Sequence, residues 1–170
     1  MNQAGQLVAP RIKGEAVLVR RVAAADLPAV VAIDARVSKL AKPDYWDEVF
    51  QRFATSRLRQ RFFLVAVAEA RAPRAPRAPR VHGFIIGEVR AWEFGSEPCG
   101  WLFGLTVDPG ARTRGVGELL MAEICARFRA AGVATVRTMV RRDNHLIMSF
   151  FRAEGMRAGP YIEMEMPLEA

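Results

Sequence analysis

Hydrophobic positions along this chain recur at two spacings, every second residue or unbroken in some stretches and every third or fourth in others, and the two spacings divide it into strands and helices. Ala16 to Val22 reads as a first strand. Asp26 then stands where a helix N-cap is wanted and Pro28 suits the first turn, predicting a helix that turns Leu27, Val30, Ile33 and Val37 inward. Pro43-Asp44 opens a second helix with Trp46, Val49, Phe50 and Phe53 at helical spacing, ending near Arg57 to Gln60. Phe62 to Ala68 and Val81 to Trp92 are continuously apolar, which predicts second and third strands buried on both faces. Gly100 to Val107 is the fourth strand. Gly115 to Ala130 is a helix with Val116, Leu119, Leu120, Ile124 and Phe128 on one side, stopped by Gly132. Val133 to Arg141 makes a fifth strand, Asn144 to Ala153 a short helix ended by Gly155, and Tyr161 to Leu168 a last strand. The order βααβββαβαβ predicts an α/β fold, a mixed central sheet flanked by helices.

Composition keeps that picture to one body. At 170 residues and 51% hydrophobic, the chain can bury a core of its own, so residues 16–170 are expected to form a single domain behind a flexible tail over 1–15. The absence of a membrane-length apolar run, or of a signal-like block at the start, leads to the expectation of a cytoplasmic chain with no membrane partner. Cys99 and Cys125, with His82 and His145, are too few for a disulfide framework or a metal cluster, so both cysteines read as small apolar residues and no metal is expected. The net charge of +7 falls to +3 once Arg71, Arg74, Arg77 and Arg80 are set aside. Those four lie in one Arg-Ala-Pro repeat over 71–80, read as an extended loop between the second and third strands. The remaining sequence has no aromatic-basic pattern of a nucleic-acid module, which ranks a nucleic-acid partner last.

The chemistry concentrates where the fourth strand gives way to a helix. Val107-Asp108-Pro109-Gly110-Ala111-Arg112-Thr113-Arg114-Gly115-Val116-Gly117-Glu118 puts two glycines and two arginines at a helix N-terminus, where unpaired backbone amides and cationic side chains both favour a phosphate. A dinucleotide-binding motif would need a third glycine where Leu120 stands, and a P-loop would need Gly-Lys-Ser/Thr. Downstream the chain reads Asn144-His145-Leu146-Ile147-Met148-Ser149-Phe150-Phe151-Arg152-Ala153-Glu154-Gly155-Met156.

Together these two segments resemble the acyl-CoA-binding motif and the second signature of the GNAT N-acetyltransferase superfamily, in the right element order from Ala16 to Leu168. The resemblance implies a fold whose fourth and fifth strands splay around a bulge. Backbone groups at Leu105, Thr106 and Val107 would then pair with pantetheine, while Arg112, Thr113, Arg114, Gly115, Val116 and Gly117 hold the pyrophosphate. Asn144 would meet the pantetheine arm and Phe151 would lie beside the thioester, although Asn144 also suits a helix cap and Phe151 a core. The implied activity is acetyl transfer from acetyl-CoA to a primary amine of a peptide, protein or small metabolite, by direct attack. A non-catalytic CoA-binding regulatory module is the alternative. A homodimer is compatible with either.

Two positions depart from the family's pattern. Met139 stands where several members place a carboxylate or histidine base, and Phe151 where a tyrosine commonly protonates the departing thiolate. A thiol of pKa about 8.5 leaves tolerably unassisted, so the missing acid costs on the order of 10²-fold. Glu88, in the alternating row His82, Phe84, Ile86, Glu88 and Arg90, is a candidate base, with an ion pair as its competing role. Asp34 and Tyr45 are candidates for contact with the acceptor, Tyr45 and Tyr161 for a stand-in acid, and the Leu105 amide for oxyanion stabilisation.

Overall fold

A computed structural model describes residues 11–12, 15–54, 60–68 and 80–168 and divides the chain into two compact units, Met1–Met139 and Val140–Ala170. The first contains strands β1 (Arg11–Ile12), β2 (Glu15–Arg21), β3 (Arg61–Ala68), β4 (Val81–Arg90), β5 (Cys99–Val107) and β6 (Val136–Thr138), with helices α1 (Leu27–Ser38), α2 (Pro43–Phe53) and α3 (Val116–Ala130). They form one mixed sheet in the order β1-β2-β3-β4-β5-β6, antiparallel throughout except for the parallel pair β5–β6, which the crossover helix α3 makes possible. The expected fourth and fifth strands are therefore β5 and β6.

Burial on both faces of the central strands follows from helices on each side. On one face Val30 and Ile33 of α1 and Trp46, Val49 and Phe53 of α2 pack with Phe63, Val65, Phe84 and Ile86. Asp34 ties the two helices together, its Oδ2 accepting from Trp46 Nε1 at 3.0 Å and facing Lys42 Nζ at 3.0 Å. On the other face α3 approaches so closely that glycine is required. A Cβ on Gly100 would lie 2.5 Å from the Phe128 ring, and one on Gly87 would lie 2.8 Å from the Trp101 carbonyl oxygen and 2.9 Å from Phe128.

Several expectations are corrected. Arg11–Ile12 pairs with Ala16 and Glu15, so part of the expected tail is strand; two residues are too few to show a period. Residues 1–10 and 13–14 of that tail, residues 71–79 of the Arg-Ala-Pro loop and residues 55–59 at the expected end of the second helix lie outside the described residues. The helix itself ends at Phe53. Val37 is exposed rather than inward. Asp26 makes no side-chain cap to α1; instead it is buried, accepts from the Ala23 amide at 2.8 Å and from both terminal guanidinium nitrogens of Arg20 at 2.7 and 2.8 Å. That contact raises the Arg20 pKa above its ordinary value, the hydrogen bond that Arg20 donates to Asp26 being the largest cause.

The third strand stops at Arg90, and Trp92 beyond it takes a left-handed φ of 63°. A register shift opposite Ala66/Val67 leaves His82 as an extra residue, so Val81 joins Phe84 and Ile86 in the core in place of the simple alternation from His82. The fifth strand shrinks to Val136–Thr138 because only Gly100–Leu102 pairs with it. Tyr161 to Leu168 forms no strand and leaves Ile162, Met164, Met166 and Leu168 exposed; alternation supplies a face, but a strand also needs a partner ladder. Among the described residues no helix is long and apolar enough to cross a membrane.

Gly100→Ala is expected to lower stability by about 1–3 kcal/mol in urea denaturation, because Phe128 must move to admit the methyl group. Adding Phe128→Leu should recover part of the loss; additive losses would show that the contact is not the cause.

Candidate functional site

β5 carries one residue more than β4 can match. Leu102 faces Gly87 and Gly104 faces Ile86, so Phe103 is a bulge, and its ring packs 5.1 Å from that of Phe53. Parallel pairing with β6 ends one residue earlier, at Leu102↔Thr138. The strands therefore part as the family resemblance implied. Beyond the bulge, the Asp108 amide donates to the His82 carbonyl at 2.8 Å, which fixes the alternation of the antiparallel ladder. Thr106 pairs with Phe84 and Gly104 with Ile86 in the hydrogen-bonded positions, while the N–H and C=O of Leu105 and Val107 point away from β4. Of the three residues expected to offer backbone groups, the ladder thus turns two outward and commits Thr106 to β4.

Directly after this edge comes a turn held by Asp108. Its Oδ1 accepts from Gly110 N at 3.0 Å and its Oδ2 faces Arg36 Nη2 of α1 at 2.7 Å. Pro109–Ala111 makes one 3-10 turn with Ala111 buried. Thr113 and Gly115 take left-handed φ values of 59° and 79°, which bend the chain into α3. For Gly115 this costs nothing; for Thr113 it is strained. The first backbone bond of α3 is Leu119 N to Gly115 O at 3.0 Å, and no side chain caps the helix. The amides of Val116, Gly117 and Glu118 therefore open the helix ahead of that bond. Arg112, Thr113 and Arg114 are exposed beside them, and neither arginine makes an ion pair among the described residues. Arg36 meanwhile offsets the Asp108 carboxylate, which would otherwise repel an anion here.

The candidate carboxylates are engaged within the protein. Glu88 realises the ion-pair alternative, lying 3.3 Å from Arg61 Nε and 3.2 Å from Arg90 Nε. Asp34 already holds a cation of its own chain, Lys42. Tyr45 is about half exposed, its ring 5.0 Å from Trp46 and beneath Lys42 at 5.7 Å. Met139 is exposed. Cys99 is buried and Cys125 half-buried, neither in a disulfide, and Arg137 reaches Cys99 Sγ at 3.6 Å. Among the described residues no three His, Cys, Asp or Glu side chains group as metal ligands.

In the second unit, Arg141 grips Asp143 at 2.6 and 3.0 Å, and this hydrogen bonding holds the Asp143 carboxyl below its usual pKa. The Asn144 amide donates to the Arg141 carbonyl at 3.0 Å, seating Asn144 at the start of α4 (His145–Ala153). Its Oδ1 caps the helix by accepting from Ile147 N at 3.2 Å, and its Nδ2 makes no hydrogen bond among the described residues. Phe151 is buried, edge-on to Phe150 at 5.3 Å. Sequence reasoning missed Arg36 and Thr138, the second of which donates its hydroxyl to the Leu102 carbonyl at 2.9 Å where the strands part. Neither has a sequence signal, since both act through partners distant along the chain.

The model of the acetyltransferase (GNAT) family matches residues 31–156, so the chain belongs to that family. No curated protein sequence matches it significantly. Among solved structures it is similar to the aminoglycoside N-acetyltransferase AAC(6')-Iy in complex with CoA, at 17% identity over 94% of this chain and 99% of that one, TM-score 0.74. An aminoglycoside acetyltransferase from an uncultured soil metagenomic sample, in complex with sisomicin, shares 16% identity over 90% and 97% of the two chains, TM-score 0.66. A transcriptional regulator from Bacillus halodurans C-125 shares 15% over 89% and 99%, TM-score 0.70. At these identities the likeness is one of fold.

Asp108→Ala should cost about 1 kcal/mol of stability by losing the turn cap, whereas Arg36→Ala, which removes only an exposed ion pair, should cost under about 0.5 kcal/mol. Thermal denaturation of the two variants checks this; equal losses would make the ion pair, not the cap, the main contribution.

Proposed function

We propose that this chain is an acyl-CoA-dependent N-acyltransferase that moves an acetyl group from acetyl-CoA to a primary amine. One juxtaposition supports the reading: the outward N–H and C=O groups of Leu105 and Val107 run directly into a helix N-terminus flanked by Arg112 and Arg114. An extended amide-containing arm matches the first as a short added strand, and a pyrophosphate matches the second. Thr113, Gly115, Val116 and Gly117 line that phosphate site. The Asn144 side-chain amide and Phe151 are assigned to the pantetheine arm and the sulfur by family resemblance.

Transfer forms an N–C bond to the acyl carbon and breaks the C–S bond, releasing thiolate, while the amine gives up a proton. The Leu105 amide, fixed on a strand, is placed to donate to the oxygen that gains charge. With Glu88 and Asp34 in ion pairs and Met139 without a basic atom, the proton passes to water or buffer and the acceptor must arrive neutral. That favours an amine near pKa 7.7–8.0, such as an α-amine, over a lysine-type amine near about 10.4. The aminoglycoside acetyltransferases among the structural relatives place amino sugars beside peptides in the acceptor panel.

A second reading, a CoA-binding regulatory module, draws on the exposed Met139 and the aromatic Phe151 where a base and an acid would act. Thiol release from acetyl-CoA across α-amino, ε-amino and aminoglycoside acceptors separates the two. Turnover that rises with pH in step with the acceptor's own pKa supports catalysis; stoichiometric CoA binding without turnover on any amine supports the module.

Gly115→Asp should weaken CoA binding at least about tenfold, because it adds both left-handed strain and a negative charge at the helix N-terminus. Calorimetry matching the wild type would remove the phosphate site from α3.

A further inference from the structure

Resting on the reading of the β5 edge as a pantetheine slot, we infer that Thr138 is a positioning residue that pins the fork between β5 and β6 and so sets the geometry of the slot. Leu102 is the last residue of β5 paired with β6, and Thr138 is its register partner. The Thr138 hydroxyl donates to the Leu102 carbonyl at 2.9 Å, with the Met139 carbonyl farther off at 3.5 Å. This is a side-chain bond across the two strands, at the place where backbone pairing runs out.

The fork is shaped from both sides of β5. Towards β4, the Phe103 bulge shifts the register and Phe53 receives the bulged ring. Towards β6, only three residue pairs join the strands, Gly100↔Val136, Trp101↔Arg137 and Leu102↔Thr138. So short a ladder frays from its open end, and Leu105, the first outward amide of the slot, lies three residues beyond that end. A bond at the terminal pair opposes fraying where it would alter the approach to Leu105. Threonine suits the post because its β-branched side chain favours strand geometry while its hydroxyl reaches a neighbouring carbonyl.

Thr138→Val keeps the branched shape and removes the donor; Thr138→Ser keeps the donor. Hydrogen exchange of the unliganded protein should show the amides of Gly100 to Leu102 and Val136 to Thr138 exchanging about fivefold faster in Thr138→Val and unchanged in Thr138→Ser. CoA titration should show a matching loss of about fivefold in affinity for the valine variant alone, with kcat for acetyl transfer reduced less than kcat/KM. Wild-type exchange in Thr138→Val overturns the pin. Faster exchange with unchanged CoA affinity overturns its role in the slot. If the wild type itself binds no CoA, the functional reading fails, while the exchange comparison still decides whether Thr138 pins the fork.

Discussion

One surplus residue in β5 governs the first unit. Because Phe103 has no partner on β4, the ladder changes register between Gly87 and Ile86, and everything beyond is set by that step. Thr106 turns to β4, Leu105 and Val107 turn away, and the chain leaves the sheet at Asp108 aimed into the turn before α3. A ladder without the bulge would invert the pattern, giving the outer edge to Thr106 and the inner one to its neighbours. A bulge leaves an unpaired residue, and the Phe103 ring offsets that by packing on Phe53.

The opposite face supplies the rigidity that such an edge needs. Phe128 sits against Gly100 and Gly87 and edge-on to Phe62 at 5.4 Å, so α3 lies nearly on the backbone of β4 and β5. The N-terminus of the same helix opens beside the Asp108 turn. Close packing near its C-terminal end therefore fixes where its N-terminal amides point, and the backbone edge and the helix dipole belong to one rigid framework. Arg36, reaching from α1 to Asp108, carries that framework to the helix layer of the other face.

Much of this was legible in the sequence, for identifiable reasons. Long periodic segments such as α2 and α3, and continuous apolar runs such as β3 and β4, declare themselves because their pattern is local. So does the glycine-arginine turn before α3. What was hidden depends on pairing. The contraction of the fifth strand to Val136–Thr138 and the failure of Tyr161 to Leu168 to form a strand follow from which ladder partners exist. The phase of Thr106 against Leu105 depends on a bulge invisible in one strand alone. Glu88 reads from sequence as a base or an ion-pair partner and Asp34 as a contact for the acceptor; Arg61 and Arg90 hold the first, and Lys42 with Trp46 the second. An acidic residue on an apolar row signals a cation nearby, but not whether that cation belongs to a ligand or to the chain itself.

An acyl-CoA lying along the outward edge of β5 and ending at the α3 N-terminus is tested most directly by backbone amide chemical shifts during a CoA titration. Large, saturable shifts are expected at Leu105 and Val107 and at Val116 to Glu118, with a markedly smaller change at Thr106, whose backbone already pairs with β4. Equal shifts along the whole of β5, or saturable binding that leaves the Leu105 and Val107 amides unmoved, would contradict it.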